Sequence, residues 1–151
     1  MNWTRMAAIA AATLAVAMPL AACGGDDDSG DAQSFKEDYN ALSKDLQSVY
    51  SDLTGANPAN AQELANQLDK VADKADEAQQ KLADLKPPDD AQDELDNLVA
   101  AVKKGADAIR NVADAARKKD VSAVQESVGE LQSAGQQISA AENKLRQAVD
   151  G

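Results

Sequence analysis

The sequence contains no histidine, and cysteine and tryptophan each occur once among its 151 residues. The one cysteine, Cys23, the one tryptophan, Trp3, and all three methionines lie within the first 23 positions. The rest of the chain therefore lacks a disulfide, the ligands of Cys or His zinc sites and of haem, and the base of a His-dependent triad. It also lacks a glycine-rich phosphate loop, a GxSxG elbow and an HExxH motif. We therefore expect no metal, no cofactor and no enzymatic activity.

Positive charge is scarce as well. Asp and Glu number 26 against 15 Lys and Arg, which gives a net charge of −11. Nucleic-acid binding is not expected, because phosphate backbones are bound by a basic surface. Paired acids such as Asp76 and Glu77 fall at positions that are expected to be exposed. Water solvates such carboxylates, so they need no catalytic role to explain them. Glu142 is the only acid next to an apolar helix face, and a one-residue shift to Ala141 would make it an ordinary surface carboxylate.

Residues 1–22 have the layout of a secretory signal. A short polar start carries Arg5, and an apolar run follows over residues 6–22. The run is about 17 residues long, the lower limit for a helix that spans a bilayer. An uncleaved membrane anchor and an ordinary secretory signal are the alternatives to a lipoprotein signal.

The apolar run ends in a Leu, two small residues and a Cys, namely Leu20, Ala21, Ala22 and Cys23. This ending resembles the lipobox of bacterial lipoprotein precursors. The resemblance implies that a diacylglycerol is attached to the Cys23 thiol, that a signal peptidase cuts before Cys23, and that an N-acyl chain such as palmitate can follow. Two acyl chains anchor a protein stably. The expected location is the extracytoplasmic face of a cell membrane.

Residues 23–33 are rich in Gly and Asp and predict a disordered acidic tether after the lipidated Cys23. A calcium-binding loop starting at Asp27 is the alternative. It fails because Ala32 occupies the required glycine position and Asp38 the position of the final Glu. The Ala-rich, His-free chain that follows this tether resembles small actinobacterial lipoproteins of unknown function.

From Ser34 onward the apolar residues recur at spacings of four and three, the heptad-like pattern of helices packed as in coiled coils. The short connections make consecutive helices antiparallel neighbours. We therefore predict an all-α, up-down-up-down four-helix bundle over residues 34–151. The predicted helices cover residues 34–54, 58–86, 90–118 and 121–149.

Capping residues support these boundaries. Ser34 and Glu37 have the spacing of a capping box, and Asn57 followed by Pro58 is typical of a helix start. Asp89 or Asp90 is predicted to cap the third helix, and Asp120 the fourth. Phe35 and Tyr39 are predicted core residues, whereas Tyr50 lies off the apolar face.

The first predicted helix is shorter than the others by roughly 10 Å at 1.5 Å per residue. This difference predicts an apolar groove where the fourth wall of the bundle ends, near the membrane. Frayed helix ends would explain the same difference. The groove would be lined by Leu82, Leu85, Leu145 and Val149.

Two further features of the third and fourth helices carry expectations. Arg117, Lys118 and Lys119 form the one cationic cluster, which either stabilises the end of a helix dipole or docks an anionic partner. A hairpin that turns near Asp120 sets Gly105 and Gly135 at one level, and paired helix glycines suggest close backbone packing.

Two functions remain open from the sequence. One is a non-enzymatic lipoprotein whose bundle acts as an envelope scaffold, adaptor or interaction module, with other envelope proteins as partners. The other is a binding protein that opens its thin, Ala-rich bundle for a lipid, a peptide or another apolar ligand.

Overall fold

The computed structural model describes residues 29–150. The predicted signal peptide, the lipobox with Cys23 and the first part of the predicted tether lie outside the described residues. Within residues 29–150 the chain is all-α and contains no strand, which confirms the predicted fold class. Its elements are α1 (Ser29–Gly55), α2 (Ala61–Ala83), a single 3-10 turn (Asp89–Ala91), α3 (Gln92–Lys118) and α4 (Val121–Asp150).

The four helices run up, down, up and down. Helix α3 packs along much of α2 and α4, whereas α1 packs more sparsely and chiefly against α2. The register of the α3–α4 hairpin matches a turn at Asp120. Lys104 Nζ donates to Gln137 Oε1 at 3.1 Å, and Asn111 Nδ2 donates to Glu130 Oε2 at 3.1 Å. None of the helices in the described region is both long and apolar enough to cross a membrane.

The buried residues form two clusters, one at each end of the bundle. The base cluster, beside the start of α1, draws on all four helices, and the top cluster surrounds the α3–α4 turn. Large members of the base cluster are Phe35, Tyr39, Leu42, Leu82, Leu95, Leu98, Val102, Leu145 and Val149. Large members of the top cluster are Leu53, Leu68, Val71, Ile109, Val112 and Val124.

Helix α1 begins at Ser29, five residues before the predicted start. The predicted capping box of Ser34 and Glu37 is therefore wrong, because both residues lie inside the helix. Residues 29–33, which were predicted to belong to the tether, are helical. The added turn places the start of α1 alongside the end of α4, where Lys36 Nζ lies 2.8 Å from Asp150 Oδ1.

The predicted start of α2 at Pro58 is also wrong. Asn60 is the N-cap, and its Oδ1 accepts a hydrogen bond from the Glu63 backbone N–H at 2.9 Å. The Glu63 carboxylate in turn accepts from the Ala59 N–H at 3.0 Å. This pair of hydrogen bonds satisfies two amides at the helix start, which Asn57 and Pro58 would not do.

The start of α3 lacks the predicted aspartate cap, while the start of α4 has its own. The 3-10 turn leads directly into α3, and neither segment has a side-chain N-cap hydrogen bond. Asp120 Oδ1 accepts from the Ala123 N–H at 3.0 Å, so the predicted cap of α4 is confirmed.

Candidate ligand site: an apolar slot between α1 and α4

A cavity of about 100 Å³ lies between the base and top clusters, where α1 faces α4. All four helices contribute to its wall, and its lining is overwhelmingly apolar. We call this cavity the slot. Its lining residues are Leu46, Gln47, Val49, Tyr50 and Leu53 of α1, Ala75 of α2, Val102, Gly105, Ala106 and Ile109 of α3, and Leu131, Gly135, Ile138 and Glu142 of α4.

The slot exists because α1 does not close against α4 along its middle. Leu46 and Val49 carry the apolar spacing predicted for a core face, yet both are only half-buried. Ile138 and Leu131 across the gap are also half-buried. The side chains of these four residues therefore border a space that the described helices leave partly empty.

The two glycines that were predicted to lie at one level help to form this space. Gly105 and Gly135 are both buried and both line the slot. A Cβ atom built on Gly105 would lie 3.4 Å from Ile138 Cδ1, with no other heavy atom of a neighbouring helix within 4 Å. The expectation of close backbone packing at Gly105 is therefore wrong. At Gly105 the missing side chain leaves volume in the slot.

Glu142 is the only acidic residue in the slot lining. It lies at the end nearest the base cluster and is 9% exposed. Burial raises the pKa of Glu142 from its usual 4.5 to about 7, and the positive charge of Arg146, one turn further along α4, opposes this shift. A carboxylate in this position can accept hydrogen bonds from a ligand or form an ion pair with a cation.

Tyr39 of α1 is an ionisable residue of another helix that interacts electrostatically with Glu142. Its pKa is raised well above the usual range, first by burial and then by the negative charge of Glu142. Tyr39 also stacks on Phe35, with ring centroids 5.9 Å apart and an interplanar angle of 23°. Both aromatics are buried, so the prediction that they belong to the core is confirmed.

The groove predicted at the base of the bundle is replaced by packed core. Leu82, Leu145 and Val149 belong to the base cluster, and Leu85 packs against it. Phe35 and Tyr39 of α1 pack in the same cluster and close the position that the prediction left open. The apolar opening therefore lies further up the same bundle, at the slot.

The three residues of the predicted cationic cluster have different surroundings. Arg117 forms ion pairs with Asp69 of α2 and with Asp114, whose Oδ1 lies 2.7 Å from Arg117 Nη1. Lys118 and Lys119 are exposed at the end of α3. Arg117 thus ties α3 to α2 while it remains exposed beside the two lysines.

Ion pairs elsewhere join α2 to both of its neighbours. Lys81 Nζ lies 2.7 Å from Asp45 Oδ2 of α1, and Arg110 of α3 pairs with Asp73 and Asp76 of α2.

Within residues 29–150 no group of three or more potential metal-ligating side chains is assembled.

Sequence reasoning did not identify the slot as a site. A four-helix bundle places the apolar faces of α1 and α4 side by side, and nothing in the spacing of their apolar residues indicates that the two faces stay apart. Gly105 and Gly135 were predicted as a pair at one level, and Glu142 was noted separately. The available signal was that Glu142 lies only two turns from Gly135 on the same helix, because small residues and an acid close together weaken a core.

Comparisons of the chain with protein-family models, curated proteins and solved structures found no match. The slot and the N-terminal sequence are therefore the features of this chain that point to a function.

Proposed function

We propose that this protein is a non-enzymatic lipoprotein, anchored through Cys23 to the extracytoplasmic face of a membrane, whose helical bundle binds an apolar ligand in the slot. The observation that carries the proposal is the slot itself, an apolar cavity in the middle of the bundle that is lined by all four helices.

Cavity size and lining support ligand binding. Dry apolar cavities of roughly 150 Å³ bind benzene or xenon. The slot, at about 100 Å³, has room for a slim apolar group. It extends on α4 from Leu131 to Glu142, a rise of roughly 16 Å at 1.5 Å per residue. A narrow shape of this length suits an alkyl chain better than a compact ring.

The packing of α1 supports entry of such a ligand. Helix α1 is held at its two ends, by Phe35 and Tyr39 in the base cluster and by Leu53 in the top cluster. Its middle, around Leu46 and Val49, is half-buried. A small outward shift of this middle part would widen the slot while both ends stay packed.

A second candidate function is an envelope scaffold or adaptor that acts through its surface. The net charge of −11 favours it, because an acidic surface attracts basic partners. The exposed pair Lys118 and Lys119 is the alternative contact for an anionic partner.

The anchor is tested by replacing Cys23 with Ala. We expect the variant to accumulate as unprocessed precursor that carries no acyl chain. Unchanged membrane association together with normal processing would contradict the lipoprotein assignment.

The ligand is tested by native mass spectrometry of the full-length protein taken from its own membrane. We expect a retained apolar molecule that is diminished in Gly105→Ala, whose new methyl group enters the slot against Ile138. Gly129→Ala is the matched control, since it is exposed on α4 and its Cβ would meet nothing within 4 Å. A protein that carries no ligand under these conditions would favour the scaffold function.

A further inference from the structure

The slot has two unlike ends. At the end near the top cluster its walls are Leu53, Ile109 and Leu131, which are all aliphatic. At the other end lies Glu142, nine-tenths buried. A molecule that matches this lining has an apolar tail and a polar head, with the head at Glu142.

The charges around the slot select the kind of head group. Removal of a carboxylate from water is unfavourable unless a cation or several hydrogen-bond donors accompany it. Arg146 of α4 is the charged group that lowers the pKa of Glu142. Tyr39 of α1 is the other ionisable neighbour, and the negative charge of Glu142 raises its pKa. The parts of α2 and α3 that line the slot contribute Ala75, Val102 and other uncharged residues. Arg146 opposes the effect of burial without cancelling it.

The net charge of the protein also favours a cationic head group. With a net charge of −11, the protein repels anionic amphiphiles and attracts cationic ones before contact is made. Inside the slot, an anionic head would meet the Glu142 carboxylate in a poorly solvated space, where like charges repel strongly. An ammonium head would supply a partner for that carboxylate.

We propose that the slot binds a single-chain cationic amphiphile, with its alkyl tail between α1 and α4 and its ammonium group paired with Glu142. This inference rests on the proposed apolar-ligand function and adds the chemical class of the ligand. Because a paired Glu142 must be ionised, binding is stronger above the pKa of its carboxyl group than below it.

The test uses the full-length protein in phosphatidylcholine nanodiscs and three probes that share one tail, namely decylammonium, decanol and decyl sulfate. The readout is the pair of Ile109 and Ile138 δ-methyl signals in NMR spectra. These are the only isoleucines after Ile9, and both line the slot. Protein-free nanodiscs give the partition of each probe into lipid.

Each probe is titrated at about pH 5.5 and about pH 8.5, on either side of the raised pKa. Glu142→Gln removes the charge and keeps the shape. Glu126→Gln, on an exposed turn of the same helix, is the matched control.

We expect decylammonium to bind about tenfold more tightly than decanol at the higher pH, because a charge-assisted hydrogen bond is the stronger contact. Glu142→Gln should remove that advantage and its pH dependence, while Glu126→Gln should keep both. Equal affinity for decylammonium and decanol, or a preference for decyl sulfate, would overturn this inference and leave apolar binding intact. Absence of methyl shifts with every probe would overturn the inference and the proposed function together.

Discussion

Glu142 shows how far a single residue could be understood from the sequence. Its place next to an apolar helix face was visible from the spacing of Ile138, Ala141 and Leu145. Its burial was not, because a shift of one residue would have turned it towards solvent. Its burial in the assembled bundle decides the matter and raises the pKa of Glu142 to about 7.

The raised pKa of Glu142 makes the free energy of unfolding depend on pH. The folded-state pKa of Glu142 lies above its usual value of 4.5, so the folded protein binds the proton more tightly than the unfolded chain does. The resulting stabilisation is complete below about pH 4.5 and is lost as the pH rises through about 7. At 1.36 kcal/mol per pKa unit, the loss is about 3 kcal/mol at most.

We therefore predict that Glu142→Gln abolishes this part of the pH dependence. The free energy of unfolding, measured by urea denaturation across this pH range, should fall with rising pH in the wild type and stay flatter in the variant. At about pH 8 the variant should be the more stable protein by about 2 kcal/mol. Glu126→Gln controls for the loss of one negative charge, and a wild-type slope in Glu142→Gln would show that this carboxyl is not the cause.

At the scale of the helices, the sequence predicted the number, order and direction of the elements, and missed several of their ends. The signature that starts α2, an Asn followed three residues later by a Glu, is present at Asn60 and Glu63. It competes with the equally regular pair Asn57 and Pro58. Ser34 and Glu37 have the same spacing inside α1, where both are simply helical residues. Local patterns therefore identify candidate caps, and tertiary packing selects among them.

The end of α3 contains the one residue with a positive φ among the non-glycine residues described, Lys119 at φ 56°. It closes the helix with a Schellman motif, in which the Lys119 N–H donates to Ala116 O and the Asp120 N–H to Ala115 O. Glycine is the usual residue at this position, since a side chain makes the left-handed conformation unfavourable.

We predict that Lys119→Gly raises the free energy of unfolding by about 0.5 to 1 kcal/mol, because glycine adopts this conformation without a steric penalty. Lys118→Gly is the matched control, since Lys118 is the last residue of α3 and loses helix propensity when replaced by glycine. It should lower the same quantity by up to about 1 kcal/mol. Thermal unfolding followed by circular dichroism measures both. Destabilisation by Lys119→Gly would mean that its side chain stabilises the turn more than its backbone strains it.

At the scale of the whole molecule, the bundle combines a tight α2–α3–α4 unit with a more sparsely packed α1. The sequence could not reveal this division, because all four helices carry similar apolar spacing. What differs is how the faces meet. Ala72, Ala106 and Ala113 are fully buried in α2 and α3 and let these helices approach closely, whereas Leu46 of α1 stays half-buried beside the slot.

The excess of acid also acts on the whole molecule. The ion pairs that join the helices, such as Lys81 with Asp45, are largely exposed, so each contributes little to stability. With a net charge of −11, the excess carboxylates repel one another in the compact state. Added salt weakens both effects, and we expect the loss of repulsion to dominate because the acids that outnumber the bases have no cation to pair with.

We predict that the melting temperature rises by a few degrees, about 3 to 5 °C, when NaCl is raised from about 0.02 M to about 0.5 M. A variant with two exposed acids neutralised, Asp38→Asn with Glu126→Gln, should melt higher at low salt and respond less to added salt, because it starts with less repulsion. Differential scanning calorimetry of both proteins gives the two salt responses. A melting temperature that falls with salt would mean that the interhelix ion pairs, led by Arg110 and Arg117, outweigh the repulsion and hold α2 and α3 together electrostatically.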